Sequence, residues 1–240
     1  MYINAHDHLR LYKDLDKELK LIEEKKIMTL AVSMDLEDYI WLEGINSPYI
    51  KKGFGIHPWK VELNTSTDKL EDHIMEADFI GEIGLDFFWD KRKEVYPKQV
   101  EIFDYFIYMA KKHDKVANIH TKGAEKEVLE ILEKYQVKNQ IIHWYSGDLD
   151  LLDRFLALDC YFTIGPDIGY SDLTDRLIKK IPLNRLLSET DGPSSLEWVN
   201  GRYGRPSYVI DIVSYIATIK GLTPLEVKDA IGKNYKKILG

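Results

Sequence analysis

Phe79-Ile80-Gly81-Glu82-Ile83-Gly84-Leu85-Asp86 opens as an apolar strand and then meets a carboxylate. A buried charge at that position is costly unless something pairs with it. Glu82 therefore calls for bridged cations, a neighbouring lysine or a backbone amide. Gly81 and Gly84 let the chain turn sharply above the strand. The same design recurs along the chain. Ile3-Asn4-Ala5 leads into His6 and His8, Val116-Ala117-Asn118-Ile119 into His120, Gln140-Ile141-Ile142 into His143, and Leu186-Leu187-Ser188-Glu189-Thr190 into Asp191. Strand candidates fall at Tyr2–Ala5, Thr29–Ser33, Lys52–Ile56, Phe79–Ile83, Val116–His120, Gln140–His143, Tyr161–Ile164 and Leu186–Glu189. Most are rich in Val, Ile, Leu or aromatics, as buried parallel strands are.

Between the strands the apolar spacing becomes helical. Val100, Phe103 and Ile107 share a face, as do Val128, Leu129 and Leu132, then Leu149, Leu152 and Leu156, then Val209, Ile212, Val213 and Ile216. Thr223-Pro224-Leu225-Glu226 carries an N-cap threonine, a first-turn proline and a capping-box glutamate. Eight strands, each followed by a helix, predict an α/β fold: a single-domain (β/α)8 TIM barrel over residues 1–240. Such barrels carry their reactive groups at the carboxyl ends of the strands. The six acid and imidazole residues occupy five of those ends.

The chain has 240 residues, 45% of them hydrophobic and 30% charged, enough for one substantial core. No apolar run approaches the ~20 residues needed to span a bilayer. The first strand begins almost at Met1, which leaves no space for a signal segment. A cytoplasmic protein without membrane association is the expectation. Cys160 is the one cysteine, so no internal disulfide forms, and its apolar surroundings read as a buried thiol. The net charge of −7 argues against a broad nucleic-acid surface but not against a small cleft with local lysines.

His6 and His8, spaced i, i+2, point the same way from a strand end and can hold one cation. His120 and His143 stand on consecutive strands; each alone reads more readily as a hydrogen-bonded core histidine than as a ligand, while together with a carboxylate they suit a metal. Asp191 reads either as a ligand and proton acceptor or as a turn aspartate before Gly192-Pro193. Glu189 is positioned to hold another ligand in place, and Asp86 to order a loop. His57, stiffened by Pro58, reads as a substrate-facing group or a structural turn histidine. Trp59, Phe87, Phe88, Trp89, Trp144 and Tyr145 either stack on bases or line a pocket. Lys60, Lys91, Arg92, Lys93 and Lys122 can neutralise a few phosphates. His73 and His113 fall on helices among charged residues and read as solvated.

Six ordered motifs resemble the TatD family of metal-dependent hydrolases, within the amidohydrolase-like barrels: Asn4-Ala5-His6-Asp7-His8-Leu9, Gly55-Ile56-His57-Pro58, Gly81-Glu82-Ile83-Gly84-Leu85-Asp86, Ile119-His120, Ile142-His143-Trp144-Tyr145-Ser146-Gly147 and Leu187-Ser188-Glu189-Thr190-Asp191-Gly192-Pro193. The resemblance implies a metallo-dependent hydrolase barrel with deoxyribonuclease activity and the ligand set His6, His8, Glu82, His120, His143 and Asp191. It departs from the family pattern at Asn4, where the family has Asp, and at Thr121-Lys122, where Ser-Arg is common, so a bidentate phosphate clamp becomes a point charge. The expected centre holds two divalent ions (Zn, Mg or Mn), with Glu82 bridging and catalytic and Asp191 as general base. His57, Lys122 and Trp59 face the substrate, DNA in single strands or at ends. The rival expectation is hydrolysis of amide, lactone or ester bonds, aminoacyl-tRNA esters included, by the same activated water.

Overall fold

A computed structural model describes residues 1–240. The strands are β1 (Tyr2–Asp7), β2 (Ile27–Ala31), β3 (Ile50–Phe54), β4 (Phe79–Asp86), β5 (Ala117–Lys122), β6 (Ile141–Ile142), β7 (Tyr161–Ile164) and β8 (Leu186–Ser188). Helices α1 (Leu15–Lys25), α2 (Leu36–Glu43), α3 (Glu71–Glu76), α4 (Tyr96–His113), α5 (Glu125–Tyr135), α6 (Leu149–Ala157), α7 (Asp172–Lys180) and α8 (Ser194–Asn200) follow them in turn. Then come α9 (Val209–Lys220) and α10 (Pro224–Leu239). The strands belong to one sheet in the order β1 to β8. The fold class is a (β/α)8 barrel, as the alternation predicts. No single helix is long and apolar enough to cross a membrane.

All eight expected strands form, with β2 and β3 lying two residues earlier than expected and two informative differences at the ends of β4 and β6. β4 continues to Asp86 because Gly84, Leu85 and Asp86 keep pairing with His120, Thr121 and Lys122 of β5. A side chain at Gly84 would collide with the His120 carbonyl, so the close approach of the two strands requires glycine there. β6 is shorter than expected: His143 has already left the strand, and Trp144 adopts a left-handed conformation at φ 38°.

The residues pack as two compact units built from separated segments. The first comprises Met1–Ala31, Trp41–Lys51 and Phe162–Gly240. In it β1 pairs in parallel with β2 and β7 with β8, and the Ser188 hydroxyl donates to the Ile3 carbonyl at 2.7 Å, holding β8 to β1. Leu9, Tyr12, Ile22, Ile27, Leu42 and Val209 form a buried cluster in this unit. The capping box expected at the start of α10 is present: Glu226 N–H donates to Thr223 Oγ1 at 3.3 Å and Thr223 N–H to Glu226 Oε2 at 2.8 Å.

The second unit comprises Val32–Ile40 and Lys52–Tyr161. Here β3, β4, β5 and β6 pair in parallel. Phe54, fully buried, meets Phe106 edge-on at 5.8 Å and Tyr39 at 5.1 Å. His73 is not solvated as the charged setting of its helix suggests; it is half-buried and edge-on to Phe54, at 5.7 Å between ring centres. His113 pairs with Glu71 at 2.8 Å.

Candidate functional site

In the second unit three imidazoles converge on one carboxylate oxygen. Glu82 Oε1 lies 3.0 Å from His120 Nδ1, 3.4 Å from His143 Nε2 and 3.4 Å from His57 Nε2, with Glu82 itself 1% exposed. The backbone explains the convergence. Glu82 N–H donates to the Ser33 carbonyl at 2.9 Å, His143 N–H to the Ile119 carbonyl at 3.0 Å, and His57 N–H to the Met34 carbonyl at 2.9 Å.

The three rings are not equivalent. His120 Nε2 donates to Asp86 Oδ2 at 3.1 Å, so a neutral His120 carries its proton there and turns the Nδ1 lone pair toward Glu82. A carboxylate behind an imidazole is the usual support of a metal-binding histidine. Burial disfavours the His120 imidazolium, but hydrogen bonds and charge from Asp86 and Glu82 outweigh it and raise its pKa to about 9. The position between the carboxylates thus attracts positive charge, and a divalent ion can replace the proton. His57 is wired the opposite way: its Nδ1 accepts from Trp59 N–H at 3.1 Å, which puts the neutral ring's proton on Nε2. His57 is then built to donate a hydrogen bond, although it lies beside the ligand candidates and is only 4% exposed.

Asp86 positions this group. Its Oδ2 accepts from His120 and, at 2.8 Å, from the Trp59 indole. Its Oδ1 accepts the backbone N–H groups of Phe88 at 2.9 Å, Trp89 at 2.7 Å and Asp90 at 3.3 Å. Burial opposes ionisation, but these donors and the His120 charge hold the carboxyl well below the usual carboxylate range. Gln99 secures the loop, accepting from Asp86 N–H at 3.0 Å and donating to Asp90 Oδ2 at 2.9 Å. Gln99 lies on α4, far in sequence from the motifs, and nothing in its own neighbourhood of the chain marks it.

In the first unit His6, His8 and Asp191 form a second group. His6 Nε2 and His8 Nε2 stand 3.4 Å apart, and Asp191 Oδ1 lies 3.7 Å from the first and 3.4 Å from the second. Donor atoms around a tetrahedral zinc at ~2.0–2.1 Å are separated by about 3.4 Å. The spacing and the chemistry of the donors in both groups therefore fit a divalent ion. Asp191 sits at φ 44°, a left-handed conformation that aspartate tolerates, and its N–H donates to the His6 carbonyl at 3.0 Å.

Asp7, between the two histidines in sequence, is fully buried. It accepts from Tyr12 OH at 3.0 Å, Gly192 N–H at 3.1 Å and Asn4 Nδ2 at 2.9 Å. Burial raises its pKa to about 7 despite the Tyr12 hydrogen bond and the positive field of His8. Asn4 also donates to Thr190 Oγ1 at 2.8 Å and accepts Thr190 N–H at 2.7 Å. An aspartate at position 4 has no amide with which to donate to Asp7, so the asparagine suits its buried neighbour. Glu189 is fully buried at the end of β8, its N–H donating to the Ile164 carbonyl at 3.0 Å.

The expected aromatic residues divide. Phe87 stacks on Tyr96 with ring centres 4.3 Å apart, and Tyr145 is buried with its hydroxyl donating to the Asp148 carbonyl at 2.7 Å. Phe88, Trp89 and part of Trp59 remain exposed. Lys122 donates to Ser146 Oγ at 2.7 Å, and Lys60 pairs with Asp35 at 3.0 Å.

Comparison with known proteins points to one family. The family model described as TatD related DNase matches residues 3–240. The chain is 30% identical to YabD of Bacillus subtilis, an uncharacterised metal-dependent hydrolase, over 99% of this chain and 98% of the relative. It is 28% identical to an uncharacterised metal-dependent hydrolase of Haemophilus influenzae, over 92% of each. Among solved structures it resembles the TatD homologue YJJV of Escherichia coli, with a TM-score of 0.87 at 21% identity, covering 99% of this chain and 97% of the other. A TatD family hydrolase of Entamoeba histolytica gives a TM-score of 0.81 at 17% identity, covering 99% and 97%. With its motifs in place and a match along nearly the whole sequence, the chain belongs to the TatD family of metal-dependent hydrolases.

Proposed function

We propose that this hydrolase cleaves phosphodiester bonds in DNA, single-stranded or at ends, with two divalent ions. His6, His8 and Asp191 would hold one ion, and Glu82, His120 through Nδ1, and His143 the other. The observation that carries the metal reading is His120 held between Asp86 at 3.1 Å and Glu82 at 3.0 Å, an imidazole oriented by one carboxylate toward another. The description of the matching family and Lys122, two residues after His120 on β5, support DNA as substrate.

Bound divalent ions supply Lewis acidity, which lowers the pKa of water and neutralises phosphoryl charge. The protein groups do the rest. The Asp191 carboxylate accepts the proton of the attacking water. His57, with its proton on Nε2, donates to an oxygen on which negative charge grows, and Lys122 offsets the same charge from the rim. Trp59 borders the substrate while its indole N–H holds Asp86.

The test is hydrolysis by chelator-treated protein resupplied with Mg, Mn or Zn, using single-stranded DNA, cyclic amides and aminoacyl esters side by side. Metal-restored DNA cleavage, reduced about 10²–10⁴-fold by Asp191→Ala, is the expected result. Turnover of amides or aminoacyl esters with intact DNA would overturn the nuclease reading in favour of another hydrolase of this fold.

A further inference from the structure

The loop after β4 presents a feature that neither the ligand groups nor the core accounts for. Phe88 is 48% exposed and Trp89 60% exposed, and their rings meet at 85° with centres 4.8 Å apart. The loop does not need these rings for anchorage. Its backbone is fixed by Asp86 Oδ1, its packing ring is Phe87 on Tyr96, and the Phe88 stem rests against Gly123, where a methyl group would lie 3.1 Å from Phe88 Cβ. The result is a corner of two exposed aromatic rings.

Positive charge flanks the corner in a chain whose net charge is −7. Lys91 Nζ lies 5.1 Å and Lys122 Nζ 5.7 Å from the Phe88 ring centre. Arg92 is neutralised by Asp90 and Glu62, and Lys60 by Asp35, whereas Lys91 and Lys122 make no ion pair. Exposed rings with ammonium groups beside them match the two repeating parts of a nucleic acid strand, base and phosphate. Asp86 joins this corner to His120, so a strand seated on the rings lies one residue from the ligand group.

We propose that Phe88 and Trp89 stack the terminal bases of a single-stranded DNA substrate while Lys122 and Lys91 neutralise the flanking phosphates. The proposal rests on the nuclease reading and names the residues that seat its substrate. The rings accept any base, so binding is tolerant of sequence and sensitive to the presence of a base.

The test measures binding of short fluorescent DNA strands, intact or abasic at one end, to the metal-loaded protein and its variants, together with KM and kcat. Phe88→Ala with Trp89→Ala should weaken binding of the intact strand about ten-fold or more. The abasic strand should lose much less, and Phe88→Tyr with Trp89→Phe should restore binding because it keeps both rings. Lys122→Ala should weaken both strands equally and flatten the salt dependence. Wild-type affinity in the double alanine variant, or equal losses for intact and abasic strands, would overturn the stacking corner while DNA cleavage keeps the nuclease reading. If the wild-type protein neither binds nor cleaves DNA, both fall.

Discussion

Asp86 decides which nitrogen of His120 is presented to Glu82, as the Trp59 backbone N–H does for His57. Asp86→Asn removes the charge behind His120 while keeping the side chain's size. Metal affinity should fall about 10–100-fold, read by titrating chelator-treated protein with Mn or Zn. Without metal, the same substitution gives a pH signature. The Asp86 carboxyl has a depressed pKa in the fold, so its contribution to stability is present above the unfolded value of roughly 4 and is lost as pH falls through the folded one. The stability gap between wild type and Asp86→Asn should be open at neutral pH and narrow on acidification, in denaturant melts at several pH values. At this scale the sequence named His6, His8, Glu82, His120, His143 and Asp191 from their places after apolar runs. It left the wiring unread: Gln99, Tyr12 and Trp59 reach their partners across 13, 5 and 27 positions of chain. Only the fold brings such pairs together.

The elements were legible where burial dictates pattern. Phe79, Ile80, Ile141, Ile142, Phe162, Leu186 and Leu187 are buried in their strands, and such apolar runs mark parallel strands directly. Ends were less legible, because β4 is extended by pairing with β5 and β6 is cut short by the left-handed turn at Trp144. Local capping chemistry, by contrast, stands in the sequence itself, and Thr223-Pro224-Leu225-Glu226 folds as read. Thr223→Ala should cost about 1 kcal/mol in chemical denaturation. Phe54→Ala, which empties a fully buried position against Phe106 and Tyr39, should cost about 3–5 kcal/mol in the same experiment. Equal losses from the two substitutions would contradict the packing assigned to Phe54.

For the molecule as a whole, the fold class followed from eight repetitions of one strand–helix plan, and the family from motifs that mark the strand ends. Substrate lies further from the sequence, since one barrel serves many hydrolyses and differs among them mainly in its loops. The central claim is that the acids and imidazoles at those ends hold divalent ions. Metal content of dialysed wild-type protein and of Glu82→Ala, measured by mass spectrometry under identical loading, tests it most directly. The account predicts about two equivalents in the wild type and the loss of at least one in Glu82→Ala, with hydrolysis lost in parallel. Equal metal content in the two proteins, or full turnover by metal-stripped enzyme, would contradict it.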